Sequence, residues 1–170
     1  RSGEPVIRTA MKQAMRIMGK QFVLGRNIAE ALQIAKPLVV EGWRFSFDML
    51  GESAMTAEDA ARYQLSYLNA AKAIGAAASG DTVFSRPSIS VKLSALHPRY
   101  EEKSQERCLP ELYNRVLDLA EVAMAHNIGL TIDAEEVARL DLSLELFGRL
   151  AKTEQLKGWN GLGLAVQAYG

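Results

Sequence analysis

Ser88-Ile89-Ser90-Val91-Lys92-Leu93-Ser94-Ala95-Leu96 carries one lysine inside an apolar run. Set between the Ser79-Gly80-Asp81 turn and the His97-Pro98 loop, it reads as a strand. The lysine is the informative residue. A charge inside a buried strand costs several kcal/mol unless it is paired. Three other stretches repeat the pattern: Trp43 to Leu50, Ile128 to Ala134 and Gly161 to Tyr169. Each is apolar, and each carries one polar residue toward its C-terminal end: Asp48, Asp133 and Gln167.

The segments between these strands have helical spacing. Thr56-Ala57-Glu58-Asp59 resembles a capping box with Asp in the usual Glu place, and a helix is expected from it to about Ala78. His97 to Arg107 reads as a long charged loop, and Pro110 as the first residue of a helix running to about His126. Val137 to Leu150 reads as the next helix. Upstream, Val6 to Val23 has apolar residues at Val6, Ile7, Met11, Met15, Met18 and Phe22, with Lys12, Arg16 and Lys20 between them. Asn27 reads as the N-cap of a second helix, Ile28 to Val40, which Pro37 is expected to bend or end early.

Alternating strands and helices imply an α/β fold with a parallel sheet. The strands recur at intervals of roughly 35–45 residues, near the ~31 per unit of a 250-residue eight-unit barrel. The expected architecture is therefore the first half of a (β/α)8 TIM-like barrel: about four β/α units preceded by two helices. Residues 1–170 form part of one barrel domain, with leading helices over 1–42 and four strands with three intervening helices over 43–170. A doubly wound open sheet is the alternative, but no GxGxxG stands at a strand–helix turn, since Gly161-Leu162-Gly163 precedes its strand. The chain opens on Arg1 rather than Met and closes on Tyr169-Gly170 straight after an apolar run. Both ends are expected to be cuts within a longer protein.

Composition narrows the function classes. The chain is 48% apolar and 24% charged, with twenty basic and twenty acidic residues. A neutral balance offers no field for nucleic acid or an anionic membrane, so nucleic acid is not expected as a partner of this segment. One cysteine, Cys108, allows neither an internal disulfide nor a CxxC site, and a reducing cytoplasm fits. No apolar run approaches the roughly 20 residues of a membrane span, and no signal peptide opens the chain. His97 and His126 lack a companion ligand pattern, so no metal is expected.

Barrel enzymes place their sites at the C-terminal strand ends. Asp48, Lys92, Asp133 and Gln167 thus point together to one polar cavity, although each has a plain structural reading. Asp48 could cap a turn, Lys92 and Asp133 could form an ion pair that only orders the barrel, and Gln167 could bond a loop. Glu52 lies in the first strand–helix loop, the position of a rim residue. Glu135 and Glu136 would sit where a helix begins, which suits the helix dipole without any function. Met11, Met15 and Met18 read as core or interface.

Four segments carry a resemblance: Phe47-Asp48-Met49-Leu50-Gly51-Glu52, Ser90 to Tyr100, Ile132-Asp133-Ala134-Glu135-Glu136 and Gly158 to Tyr169. They resemble the proline dehydrogenase domain of the bacterial bifunctional proline-utilisation flavoproteins, as do Gly3 to Ile7 and Met18 to Phe22. The resemblance covers essentially the whole chain. It implies FAD-dependent oxidation of L-proline to 1-pyrroline-5-carboxylate, the first step of proline catabolism to glutamate. In such proteins a second, NAD-dependent glutamate-semialdehyde dehydrogenase domain completes the pathway, and membrane quinone reoxidises the flavin. A cytoplasmic protein with peripheral membrane association during turnover follows.

By motif match, Lys92 would bind the substrate carboxylate and Asp133 would be an active-site carboxylate beside substrate and flavin. Ala134, Val166 and Gln167 would contact the flavin, and Glu52 would stand near the substrate entrance. The paired arginines and flavin-phosphate contacts of the family fall in later elements that this chain does not contain. The isolated chain is therefore expected to lack turnover and to self-associate through open sheet edges. Two other readings stand beside this one: a Schiff-base barrel lyase using Lys92, and a non-catalytic interaction fragment.

Overall fold

The computed structural model describes residues 4–169, apart from the side chains of 16–18 and 20–22. The expected inward places of Met18 and Phe22 lie outside the described residues. The chain divides into two compact units, residues 1–43 and 44–170.

The first unit holds helices α1 (Glu4–Phe22) and α2 (Ile28–Val40). Asn27 caps α2, its side-chain oxygen accepting from the Glu30 N–H at 3.0 Å. The helix does not end early at Pro37 but runs through it to Val40. Proline removes a single intrahelical bond there, and the turns on either side hold. The helix stops instead at a glycine. Gly42 has φ +100°, its N–H donates to the Val39 carbonyl, and the Trp43 N–H donates to the Leu38 carbonyl. This double closure is a Schellman motif. It draws Trp43 into the helix terminus and out of the expected strand. Met11 and Met15 are exposed on α1, so neither is a core residue of this unit.

The second unit is a sheet with helices. Strands β1 (Ser46–Asp48), β2 (Ser88–Val91), β3 (Gly129–Ile132) and β4 (Leu162–Leu164) are all parallel and lie in the order β1-β2-β3-β4. Helices α3 (Ala57–Ala77), α5 (Gln105–Ala125) and α6 (Leu140–Ala151) join successive strands, and a short helix, α4 (Leu93–Leu96), follows β2 directly. Strictly sequential order keeps every right-handed crossover on the same face, as in a barrel. A doubly wound sheet would reverse its order at a switch point. The fold is thus α/β, the arrangement of the first half of a (β/α)8 barrel.

The two faces of the sheet differ. Phe47, Ile89, Val91, Leu130 and Ile132 are buried on the helix side. They pack with Leu112, Val116 and Leu119 of α5 and with Tyr67 and Ile74 of α3 in one core. The alternate residues, Ser46, Asp48, Ser90 and Thr131, stay partly or fully open. Helix α3 begins at the capping box read from the sequence: the Thr56 hydroxyl accepts from the Asp59 N–H at 3.0 Å, and the Asp59 carboxylate accepts from the Thr56 N–H at 3.1 Å. Near its end, Gly75 lets the His126 ring lie against the backbone, where a Cβ would collide with it.

The strands are shorter than their apolar runs. Trp43 to Leu50 yields only Ser46–Asp48, Ile128 to Ala134 only Gly129–Ile132, and Gly161 to Tyr169 only Leu162–Leu164. A strand lasts only as far as a neighbour shares its ladder, whatever its composition. Leu93 to Leu96, expected to continue β2, instead form α4, with all four residues buried. The expected loop before Pro110 is partly helical. A 3₁₀ turn covers Glu102–Ser104 and α5 starts at Gln105, which puts Pro110 inside the helix rather than at its first position. Val137–Arg139 is likewise a 3₁₀ turn, and α6 begins only at Leu140.

Candidate active site at the strand ends

Lys92 directly follows β2 and is the N-cap residue of α4. Its backbone N–H donates to the Tyr67 hydroxyl at 3.3 Å, which ties the strand end to α3. Its ammonium donates to Asp48 Oδ2 at 2.7 Å and to Asp133 Oδ2 at 2.8 Å. The ends of β1, β2 and β3 therefore meet at one ion triad. The Lys92 side chain is 18% exposed, Asp133 32% and Asp48 43%, so the triad is a rim feature open on one side. The second oxygen of Asp133 accepts from the Ala134 N–H at 3.0 Å, which fixes the carboxylate plane.

The charge state follows from this geometry. Partial burial disfavours the Lys92 ammonium, but the hydrogen bonds to Asp133 and Asp48 outweigh it and hold its pKa above the ordinary lysine value. Lys92 is therefore a fixed cation at neutral pH. A Schiff-base nucleophile must be a neutral amine, and this environment opposes that reading of Lys92. An ammonium has three donors, and two are committed to carboxylates, so one remains for an anionic ligand. Tyr67 is buried beneath the triad, and burial, with the negative Asp48 nearby, raises its hydroxyl pKa to about 12.

The other residues singled out in the sequence fall at varying distances from this centre. Gln167 is exposed beyond β4 and forms no bond to the triad. It lines a cavity of about 530 Å³ together with Ala134, Tyr100, Glu135 and Arg139. Val166 beside it is 55% exposed. Glu52 is exposed in the loop after β1, and its side chain has no ion pair or hydrogen bond among the described residues. The four polar interruptions thus divide: three form one cluster, and the fourth faces a neighbouring cavity.

Glu135 and Ser94 add contacts that the sequence reading missed. The Glu135 carboxylate accepts from the Ser94 N–H at 3.0 Å and from Arg139 Nη1 at 2.9 Å, with its side chain only 10% exposed. An acidic residue before a helix reads as a dipole partner, and nothing local shows that it reaches back to another strand end. Tyr67 was equally hidden, since an aromatic on an apolar helix stripe reads as core. His97 is buried, with Nδ1 accepting from the Arg99 N–H at 3.0 Å and Nε2 lying 3.3 Å from Glu111, so it braces its own loop. Among the described residues no three His, Cys, Asp or Glu side chains are grouped to hold a metal ion.

Comparisons with known proteins converge. The family profile of proline dehydrogenase matches residues 31–170. The bifunctional protein PutA of Escherichia coli K12 is 50% identical over 169 residues, which is 99% of this chain and 13% of that protein. PutA of Rhizobium meliloti is also 50% identical, over the whole of this chain and 14% of its own length. A solved structure of a variant of Bradyrhizobium japonicum proline utilization A is 52% identical, with a TM-score of 0.80 across 98% of this chain and 17% of that one. Proline utilization A from Bdellovibrio bacteriovorus is 22% identical with a TM-score of 0.89 over 96% of this chain and 18% of its own, a likeness of fold. This chain spans less than a fifth of the length of these relatives.

Proposed function

The chain belongs to the proline dehydrogenase family, and on that premise we propose that it forms the substrate-facing first half of a barrel that oxidises L-proline to 1-pyrroline-5-carboxylate with FAD, within a larger bifunctional enzyme. The observation that carries the reading is the Lys92 triad at the C-terminal strand ends. Lys92 would hold the proline carboxylate through its third donor. The two aspartates favour the charged lysine, which disfavours its attack on a carbonyl.

Proline must lose a hydride from its ring carbon beside nitrogen, which requires the nitrogen to be free of its extra proton. Asp133 would steer that proton; Lys92 donates to one of its oxygens and the Ala134 N–H to the other, which fixes the carboxylate plane. Glu52 would attract the ammonium form of proline at the entrance.

The residues present fit a flavin. Ala134 and Gln167 border one cavity beyond β3 and β4, and Val166 offers an exposed apolar face next to a side-chain amide that both donates and accepts. These three residues would hold the ring. When bound, FAD supplies the two-electron acceptor that no side chain can provide.

The reading extends to a cytoplasmic protein that associates peripherally with membrane during turnover, where quinone takes up the electrons, and to an NAD-dependent second domain. That extension rests on family resemblance. No helix among the described residues is long and apolar enough to cross a membrane.

The test is a visible absorption spectrum of the full-length protein before and after L-proline. A flavin band that bleaches supports the reading, and a protein that binds no flavin or ignores proline overturns it. In the isolated 170 residues, β1 and β4 are open edges, so self-association without turnover is expected. A monodisperse monomer that oxidised proline would contradict this.

A further inference from the structure

Three strand-end loops are cross-linked away from the reacting centre, and Ser94 lies where they meet. It is the second residue of α4 and is 3% exposed. Its hydroxyl accepts from the Ser53 N–H at 3.2 Å, and its carbonyl accepts from the Ala54 N–H at 2.8 Å, so it holds the loop after β1. Its own N–H donates to Glu135, in the loop after β3. Glu135 in turn pairs with Arg139. The Arg139 guanidinium lies 5.3 Å from the centre of the Tyr100 ring, and the Arg139 carbonyl accepts from the Tyr100 hydroxyl at 3.2 Å.

The loop after β1 needs such restraint. Ser53 has φ +57°, in the left-handed region that a non-glycine residue holds only where its surroundings over-determine it. Ser53 is next to Glu52, whose side chain has no hydrogen bond or ion pair among the described residues. The position of Glu52 is therefore set by the two amides that follow it, and both end on Ser94. On the other side, Glu135 is two residues from Asp133 and borders the cavity shared by Ala134 and Gln167. Neither Ser94 nor Glu135 bonds to Lys92, Asp48 or Asp133.

We infer that Ser94 and Glu135 are positioning residues that lock the loop carrying Glu52 to the loop carrying Asp133 and Ala134, so that the substrate entrance and the reacting centre keep a fixed spacing. The inference rests on the proposed proline dehydrogenase reading only for its kinetic consequences; the linkage itself is a property of the chain.

The substitutions separate the two arms. Ser94→Ala removes the hydroxyl acceptor for Ser53 but leaves both backbone bonds of Ser94. Glu135→Ala frees the Ser94 N–H and removes one of the two carboxylates on Arg139, which keeps Glu136 at 2.9 Å, whereas Glu135→Gln keeps an oxygen for Ser94 and loses only the charge facing Arg139.

The experiment uses the full-length protein and two readouts. Amide hydrogen exchange should speed about tenfold over residues 51–55 in Ser94→Ala, and over both 51–55 and 93–96 in Glu135→Ala, with Glu135→Gln close to wild type. In proline turnover, Ser94→Ala should raise KM about tenfold with kcat little changed, while Glu135→Ala should lower kcat about tenfold and Glu135→Gln should recover most of it. Exchange that is unchanged in both alanine variants overturns the inference whatever the activity. Faster exchange throughout the barrel, with KM and kcat unmoved, also overturns it, because the residues would then be only structural. If the wild type fails to oxidise proline while exchange changes as expected, the function reading falls and the linkage stands.

Discussion

The two faces of the four-stranded sheet are built from alternate residues of the same strands, yet they have opposite physics. The helix-side face is Phe47, Ile89, Val91, Leu130 and Ile132, buried and apolar throughout. The opposite face is Ser46, Asp48, Ser90 and Thr131, small, polar and open, with a Ser46–Ser90 hydroxyl bond at 2.9 Å. Lys92 and Asp133 follow where β2 and β3 end. The difference teaches that stability and chemistry can share strands of three or four residues, because the side-chain period of two separates them completely. A one-residue register slip would exchange the two sets, so the buried face also fixes where the charges converge.

The comparison breaks most visibly at Lys92. In the full-length protein Lys92→Met should lower kcat/KM for proline by about three orders of magnitude, equivalent to about 4 kcal/mol of transition-state stabilisation. A loss below about tenfold would mean that the polar face is architectural only. On the apolar face, Ile89→Ala should lower unfolding stability by about 2–4 kcal/mol, since the site is fully buried and the surrounding helices cannot collapse onto it. Chemical denaturation measures this, with the proline KM expected to be nearly unchanged in protein that remains folded.

Tyr67 sits on the seam between the faces, its ring in the core and its hydroxyl under Lys92. Its pKa is raised from 10.0 to about 12, and that of Lys92 is raised above 10.5. Groups with raised folded pKa values contribute stability that is complete below their unfolded pKa and is lost as pH rises through the folded value. Unfolding midpoints should therefore fall from about pH 10 upward, and Tyr67→Phe should make the fall between pH 10 and 12 shallower. An equally steep fall in the variant would remove Tyr67 from the account. The smallest effect belongs to the polar face itself. Ser90→Ala, one residue from Ile89, should cost no more than about 1 kcal/mol, because its hydroxyl bond to Ser46 is open to water. A cost equal to that of Ile89→Ala would erase the contrast between the faces.

The sequence by itself determined the α/β class, the strand positions, the capping box at Thr56 and Asp59, and the polar residues at the strand ends. These are local signals: side-chain period, cap chemistry and a charge where an apolar run should continue. Only the tertiary structure decided where each strand stops, that Leu93 to Leu96 turn into a helix, and that Gly42 rather than Pro37 ends α2. It alone joined Asp48, Lys92 and Asp133 while leaving Gln167 on a separate cavity, and it alone showed Glu135 reaching back to Ser94. The physical reason is that ladders, ion pairs and buried hydrogen bonds form between residues some forty positions apart, and no local pattern records which partner a polar side chain will meet.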